Sequence, residues 1–209
     1  MADSAPTEGR RERKKRQTRA RILRAAQVLF TRHSFDGTTV EAIAEAADVS
    51  KPTLFNYFPT KINLLQALLP DVDRRFAAVI DSTAGADTGT RERLEVFFAY
   101  VGSMTRRTPN LTRALLMQSL RVYECRAGDV DAHRFPATRT AFLALIQAGI
   151  ERGDVRDDTS AERLTDYMTG IYVHQLMTWL IDPSHPVERE LAAAAAFLAS
   201  ALRPGPARH

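Results

Sequence analysis

The side chains best equipped to do chemistry in this chain stand together in "SKPTLFNYFPTK", residues 50–61. Thr53 offers a hydroxyl and a methyl, Asn56 an amide that donates and accepts in one plane, and Tyr57 a phenol, while Lys51 and Lys61 bracket them with ammonium groups. On a helix Thr53, Asn56 and Tyr57 share one face at i, i+3 and i+4, and Leu54 and Phe58 share another at i, i+4. The first face carries groups that match base edges in a major groove about 12 Å wide, and the second is an apolar stripe that can hold the helix down. Lys51 suits guanine or phosphate, and Lys61 suits phosphate on the other side. Thr38 and Thr39, heading the preceding helix, place hydroxyls and free backbone N–H groups where a phosphate is held. The chemistry implied is non-covalent recognition of double-stranded DNA.

Helices must position these groups, and helices are what the pattern predicts. Apolar residues recur with a period of 3.6 and almost nowhere with a period of two, so the chain reads as all-α. A first helix beginning near Gln17 or Thr18 buries Ile22, Ala26, Leu29 and Phe30. "HSFDG" stops it, and Thr38 with Glu41 makes a capping box for a second helix whose buried side is Val40, Ile43, Ala44 and Ala47. Ser50 is the expected N-cap of the third helix, and Pro52 costs it no hydrogen bond in the first turn. Pro59 ends it. Thr60 caps a fourth helix from Lys61 toward Asp81. After the loop "STAGADTGT" five further helical stretches are expected near 90–107, 110–126, 134–152, 160–181 and 187–202, with Thr159 and Glu162 capping the penultimate one.

The chain has 209 residues, 44% of them hydrophobic, which is enough for a sizeable core. Its single cysteine, Cys125, excludes an intramolecular disulfide and reads as a bystander thiol, and a reducing, cytoplasmic setting is expected. No cysteine and histidine cluster has metal-ligand spacing, so neither metal nor cofactor is expected. The longest apolar run, "LAAAAAFLASAL", is too short for a membrane span, and no secretory signal is visible. The net charge is +4, but residues 1–33 hold ten Lys or Arg against Asp3, Glu8 and Glu12, so the basic excess is confined to that end. Such a field implies a polyanionic partner. Residues 1–16 are expected to form a disordered basic arm, 17–62 the DNA-binding domain and 63–209 a larger helical domain. An enzyme lacks its catalytic set: the five histidines are scattered, and there is neither a nucleophile motif nor a glycine-rich phosphate loop. A sequence-blind DNA-coating or scaffolding protein is the alternative reading; it would keep the arm but have no use for a shaped polar helix face.

Residues 19–68 resemble the helix-turn-helix region of TetR-family transcriptional regulators, through "ILRAAQVLF", "TTVEAIAEAADVS", "KPTLFNYF", and the lysine and paired leucines that enter the fourth helix. The resemblance places Thr39, Lys51, Pro52, Thr53, Tyr57 and Lys61 at the DNA interface. Two positions depart from the family pattern: Phe55 stands where a tyrosine commonly touches phosphate, and Asp48 stands where a turn glycine is usual. For the basic arm, contact with phosphates or an adjacent minor groove is expected. The resemblance further implies a homodimer through the last two helices, a palindromic operator, and repression relieved by a small-molecule effector. The effector pocket would lie among the middle helices, where Phe97, Tyr100, Met104, Met117, Tyr123, Phe142, Tyr172, His174 and Met177 are the candidates to line it.

Overall fold

The 3.6-residue period becomes nine α-helices among the described residues, which are 9–82, 88–120 and 135–205 of a computed structural model. They are α1 (Arg10–His33), α2 (Val40–Ala46), α3 (Lys51–Tyr57), α4 (Lys61–Ser82), α5 (Thr90–Arg107), α6 (Pro109–Leu120), α7 (Pro136–Arg152), α8 (Ala161–Ile181) and α9 (Val187–Ala201). The chain divides into two compact units, Met1–Leu68 and Leu69–His209, with the division inside α4. This boundary lies beyond the expected one at residue 62, because the first turns of α4, with Leu64, Leu65 and Leu68 buried, belong to the first unit.

In the first unit α1 starts at Arg10, not near Gln17, so residues 10–16 are helical rather than a disordered arm. The arginines, lysines, Glu12 and Gln17 are good helix formers, and they extend a helix that the buried Ile22, Leu23, Ala26 and Phe30 already hold in place. Leu29, expected in the core, is only half-buried, and Leu23 takes its place. In α2 the buried side is Ile43 and Ala44, followed by Ala47 at the C-cap. Its N-cap is Thr39, whose Oγ1 accepts from the Ala42 N–H at 3.2 Å; Thr38, the expected cap, lies one residue too early. The same one-residue shift occurs at α8, where Ser160 rather than Thr159 accepts from the Arg163 N–H.

In the second unit an edge-to-face aromatic cluster centres on Phe97, whose ring lies 4.7 Å from Phe142, 5.6 Å from Tyr172 and 5.7 Å from Phe76. Such pairs contribute about 0.5–1.5 kcal/mol each beyond area burial. Two helices are capped from a distance. The buried Asp73 of α4 accepts from the N–H groups of Ala137 and Thr138 and from the Thr138 hydroxyl at 2.7–2.9 Å, closing the start of α7. Asp154 accepts from the Thr90 N–H at 2.8 Å and does the same for α5. Gly149 makes the second cap possible: a Cβ there would lie 2.4 Å from a Val155 methyl and 2.5 Å from the Thr90 hydroxyl. Gly153, at φ 77°, then ends α7 in the left-handed region that glycine enters without strain.

Candidate nucleic-acid interface

α3 is seven residues long, too short to stand alone, and its neighbours hold it. Ser50 is the N-cap; its Oγ accepts from the Thr53 N–H at 3.3 Å and lies 2.8 Å from the Thr53 hydroxyl. Leu54 is fully buried and Phe58 is 2% exposed, so both apolar anchors are in the core of the first unit. Burying two such side chains contributes about 3–6 kcal/mol. The α2–α3 turn passes through Asp48 at φ 51°, the left-handed conformation that aspartate tolerates better than most residues. That conformation is why aspartate can stand where glycine is usual. Arg21 of α1 reaches Asp48 at 3.6 Å, and the Arg19 guanidinium lies 5.1 Å from the Phe58 ring centroid, so α1 braces both ends of α3.

The anchors turn the other face outward. Asn56 and Pro52 are exposed, Thr53 and Tyr57 are half-buried, and Asn56 and Tyr57 make no side-chain hydrogen bond among the described residues. Thr39 is exposed at the head of α2 with its oxygen engaged as a cap. Lys51 is exposed but already paired: its ammonium bonds the Glu41 carboxylate of α2 and lies 5.9 Å from the Phe55 ring. The hydrogen bond from Lys51 is the main cause holding the Glu41 carboxyl below its ordinary value. Phe55 is itself exposed and, lacking a hydroxyl, offers a platform rather than a phosphate contact. The Glu41 partner was not anticipated; two opposite charges facing each other across the turn were its only sequence signal.

Two of the expected contact residues are hydrogen-bonded within the first unit. Thr38 is 3% exposed and its hydroxyl donates to the Ser34 carbonyl at 2.6 Å, so it closes the α1–α2 connection instead of facing a ligand. Lys61 donates to the carbonyls of Phe35 and Thr38 at 2.8 and 3.0 Å and lies 4.4 Å from the Phe35 ring centroid. Its charge is engaged by that connection.

The eight described candidate effector residues differ widely in burial. Phe97, Phe142 and Tyr172 are buried and mutually packed; Tyr100, Met104 and Met177 are half-buried; Met117 is 51% exposed. Tyr123 lies outside the described residues, as does Cys125. His174 is exposed, in a groove of about 900 Å³ between α8 and α9 that Tyr167, Ile171, Ala193 and Phe197 also line. Among the described residues no group of acidic, histidine or cysteine side chains is placed to hold a metal. No described helix is long and apolar enough to cross a membrane.

The family model described as bacterial regulatory proteins, tetR family, matches residues 22–68, from the buried face of α1 to the last leucine of the first unit. The transcriptional regulator TcmR of Streptomyces glaucescens is 30% identical over 152 residues, 72% of this chain and 67% of TcmR. The chain belongs to the tetR family. The transcriptional repressor KstR of Mycolicibacterium smegmatis is 32% identical to this tetR-family protein over 116 residues, a match that spans 56% of this chain and 57% of KstR. Among solved structures, Thermus thermophilus FadR, a TetR-family repressor crystallised with lauroyl-CoA, superposes with a TM-score of 0.66 at 26% identity. It covers 91% of this chain and 99% of FadR, so the likeness extends through the second unit of the tetR-family chain as well as the first.

Proposed function

We propose that this tetR-family protein is a ligand-responsive DNA-binding transcriptional repressor. It binds a palindromic operator as a homodimer in the cytoplasm and is released by a small-molecule effector held in the second unit. The observation that carries the reading is the face of α3, with Thr53, Asn56 and Tyr57 turned outward by the buried Leu54 and Phe58. Thr39, Lys51 and Pro52 complete the DNA-contacting set, and Thr38 and Lys61 support it from inside. The relatives named as repressors and the acyl-CoA complex of FadR support repression and effector control. An effector acts through its differential affinity for the DNA-competent and released states, about 1–3 kcal/mol for an ordinary switch.

The dimer forms through α8 and α9, where Tyr167 and Phe197 leave an apolar groove open in the protomer. Two α3 helices one helical turn of DNA apart then read the two halves of a palindrome. Selection of bound fragments from random duplex tests the reading directly: an inverted repeat is expected, with a medium-chain acyl-CoA as the first effector probe. Recovery of no motif, with operator-like and random duplexes bound alike at moderate salt, would establish the sequence-blind alternative.

A further inference from the structure

The exposed strip of α3 is not uniformly polar. Lys51, Pro52, Phe55 and Asn56, at i, i+1, i+4 and i+5, are its four exposed residues, while Thr53 and Tyr57 on the adjoining flank are half-buried. Two of the four, Pro52 and Phe55, are apolar rings one helical turn apart. The other phenylalanines of the first unit have cover: Phe30 is fully buried, Phe58 is 2% exposed, and Phe35 is half-buried with its ring 5.3 Å from that of Phe30. Phe55 is 37% exposed, and among the described residues its one ring contact is the Lys51 ammonium, which is also bonded to Glu41. Because Leu54 and Phe58 anchor the helix, the Phe55 ring is held on the outer side next to Asn56.

We propose that Phe55, with Pro52 beside it, reads the C5 methyl of a thymine in each operator half-site. The inference rests on the DNA-binding reading above and deepens it by naming one base. In the major groove the thymine methyl is the one apolar group that base edges present. Against an amino group or a carbonyl oxygen the ring would strip water from a polar atom and return no hydrogen bond, so the same contact penalises the other bases. A phosphate is no partner for it, because Phe55 has neither hydroxyl nor charge. Intercalating phenylalanines enter from the minor groove, whereas a helix that turns Asn56 and Thr53 outward is equipped for the major groove. A protein partner fits less well: one ring and one proline fall far short of the roughly 800 Å² per side that a stable interface buries.

The test uses the full chain and the operator recovered by selection, with each thymine of one half-site replaced in turn by deoxyuridine. That change removes the methyl and keeps every hydrogen-bonding group. Binding is read by fluorescence anisotropy. Wild type should lose about three- to fivefold at one thymine, the worth of one buried methyl. Phe55→Ala should bind the all-thymine palindrome about tenfold more weakly, since both half-sites lose the contact, and should be indifferent to deoxyuridine at that position. Phe55→Leu, which keeps an apolar side chain, should recover part of the affinity and part of the methyl dependence. The slope of log K against log salt should match wild type in both variants, because no phosphate contact is lost. A deoxyuridine penalty that persists unchanged in Phe55→Ala overturns the assignment, as does a wild type indifferent to every methyl or a flatter salt slope in Phe55→Ala. The two readings fail separately: recovery of no motif defeats the repressor reading and the methyl contact with it, whereas a motif with no methyl-sensitive thymine defeats the methyl contact alone.

Discussion

Lys51 and Lys61 show how one residue type takes opposite roles ten positions apart. Lys51 points outward and is neutralised by Glu41, so under the proposed function DNA displaces a carboxylate before it gains the ammonium. Glu41→Gln removes that competitor. Affinity should rise about two- to fivefold on operator and random duplex alike, the scale of an exposed ion pair, as read by anisotropy at low salt. Because Lys51 depresses the Glu41 pKa, the carboxylate persists as pH falls and the pair is lost only below the ordinary carboxylate range. The advantage of the variant should therefore be flat between about pH 6 and 8. A steep dependence there would mean another group controls Lys51. Lys61 points inward and satisfies two backbone carbonyls, so Lys61→Ala should lower stability by about 2 kcal/mol in urea denaturation. At temperatures where the variant is folded, its salt slope should match wild type; a flatter slope would restore Lys61 to the phosphate-contacting set.

Caps and anchors decide which helices persist. Asp73 satisfies two N–H groups and a hydroxyl at the start of α7, more than 60 residues along the chain, and Asp73→Ala would leave the two N–H groups without a partner and the Thr138 hydroxyl with only the residue 73 carbonyl, at 3.3 Å. A loss of about 2–4 kcal/mol is expected, seen as a lower urea midpoint with unchanged m, because a missing cap and orphaned buried donors add. Asp154→Ala, at a more exposed site, should cost less. Neither cap was legible in the sequence, since both join residues that only the folded chain brings together. The legible features were local: the period that made helices, Ser50 as a cap, Leu54 and Phe58 as anchors, and the outward face of α3. Where local signals compete the sequence misled by a residue, as at Thr38 and Thr39, because two adjacent threonines are equivalent until the α1–α2 connection chooses one. The carbonyl partners of Lys61 were hidden for a related reason: a cation beside a helix start looks the same whether or not carbonyls lie in front of it.

Assembly decides whether the reading face can act as proposed, because one short helix buries too little DNA to discriminate a genome's worth of sites. In the protomer Phe197 is 64% exposed and Tyr167 60% exposed, both on the groove between α8 and α9. Phe197→Glu puts an unpaired charge into that groove, and because the side chain faces outward the protomer's own core is untouched. Sedimentation should show a monomer at micromolar concentration with wild-type helical content. Affinity for the full palindrome should fall by about a hundredfold or more, since the second half-site is no longer bound intramolecularly, while affinity for an isolated half-site stays constant. That split separates loss of assembly from damage to α3, which would weaken both targets together. A Phe197→Glu protein that still sediments as a dimer would move the interface off α8 and α9 and leave the groove free for another occupant.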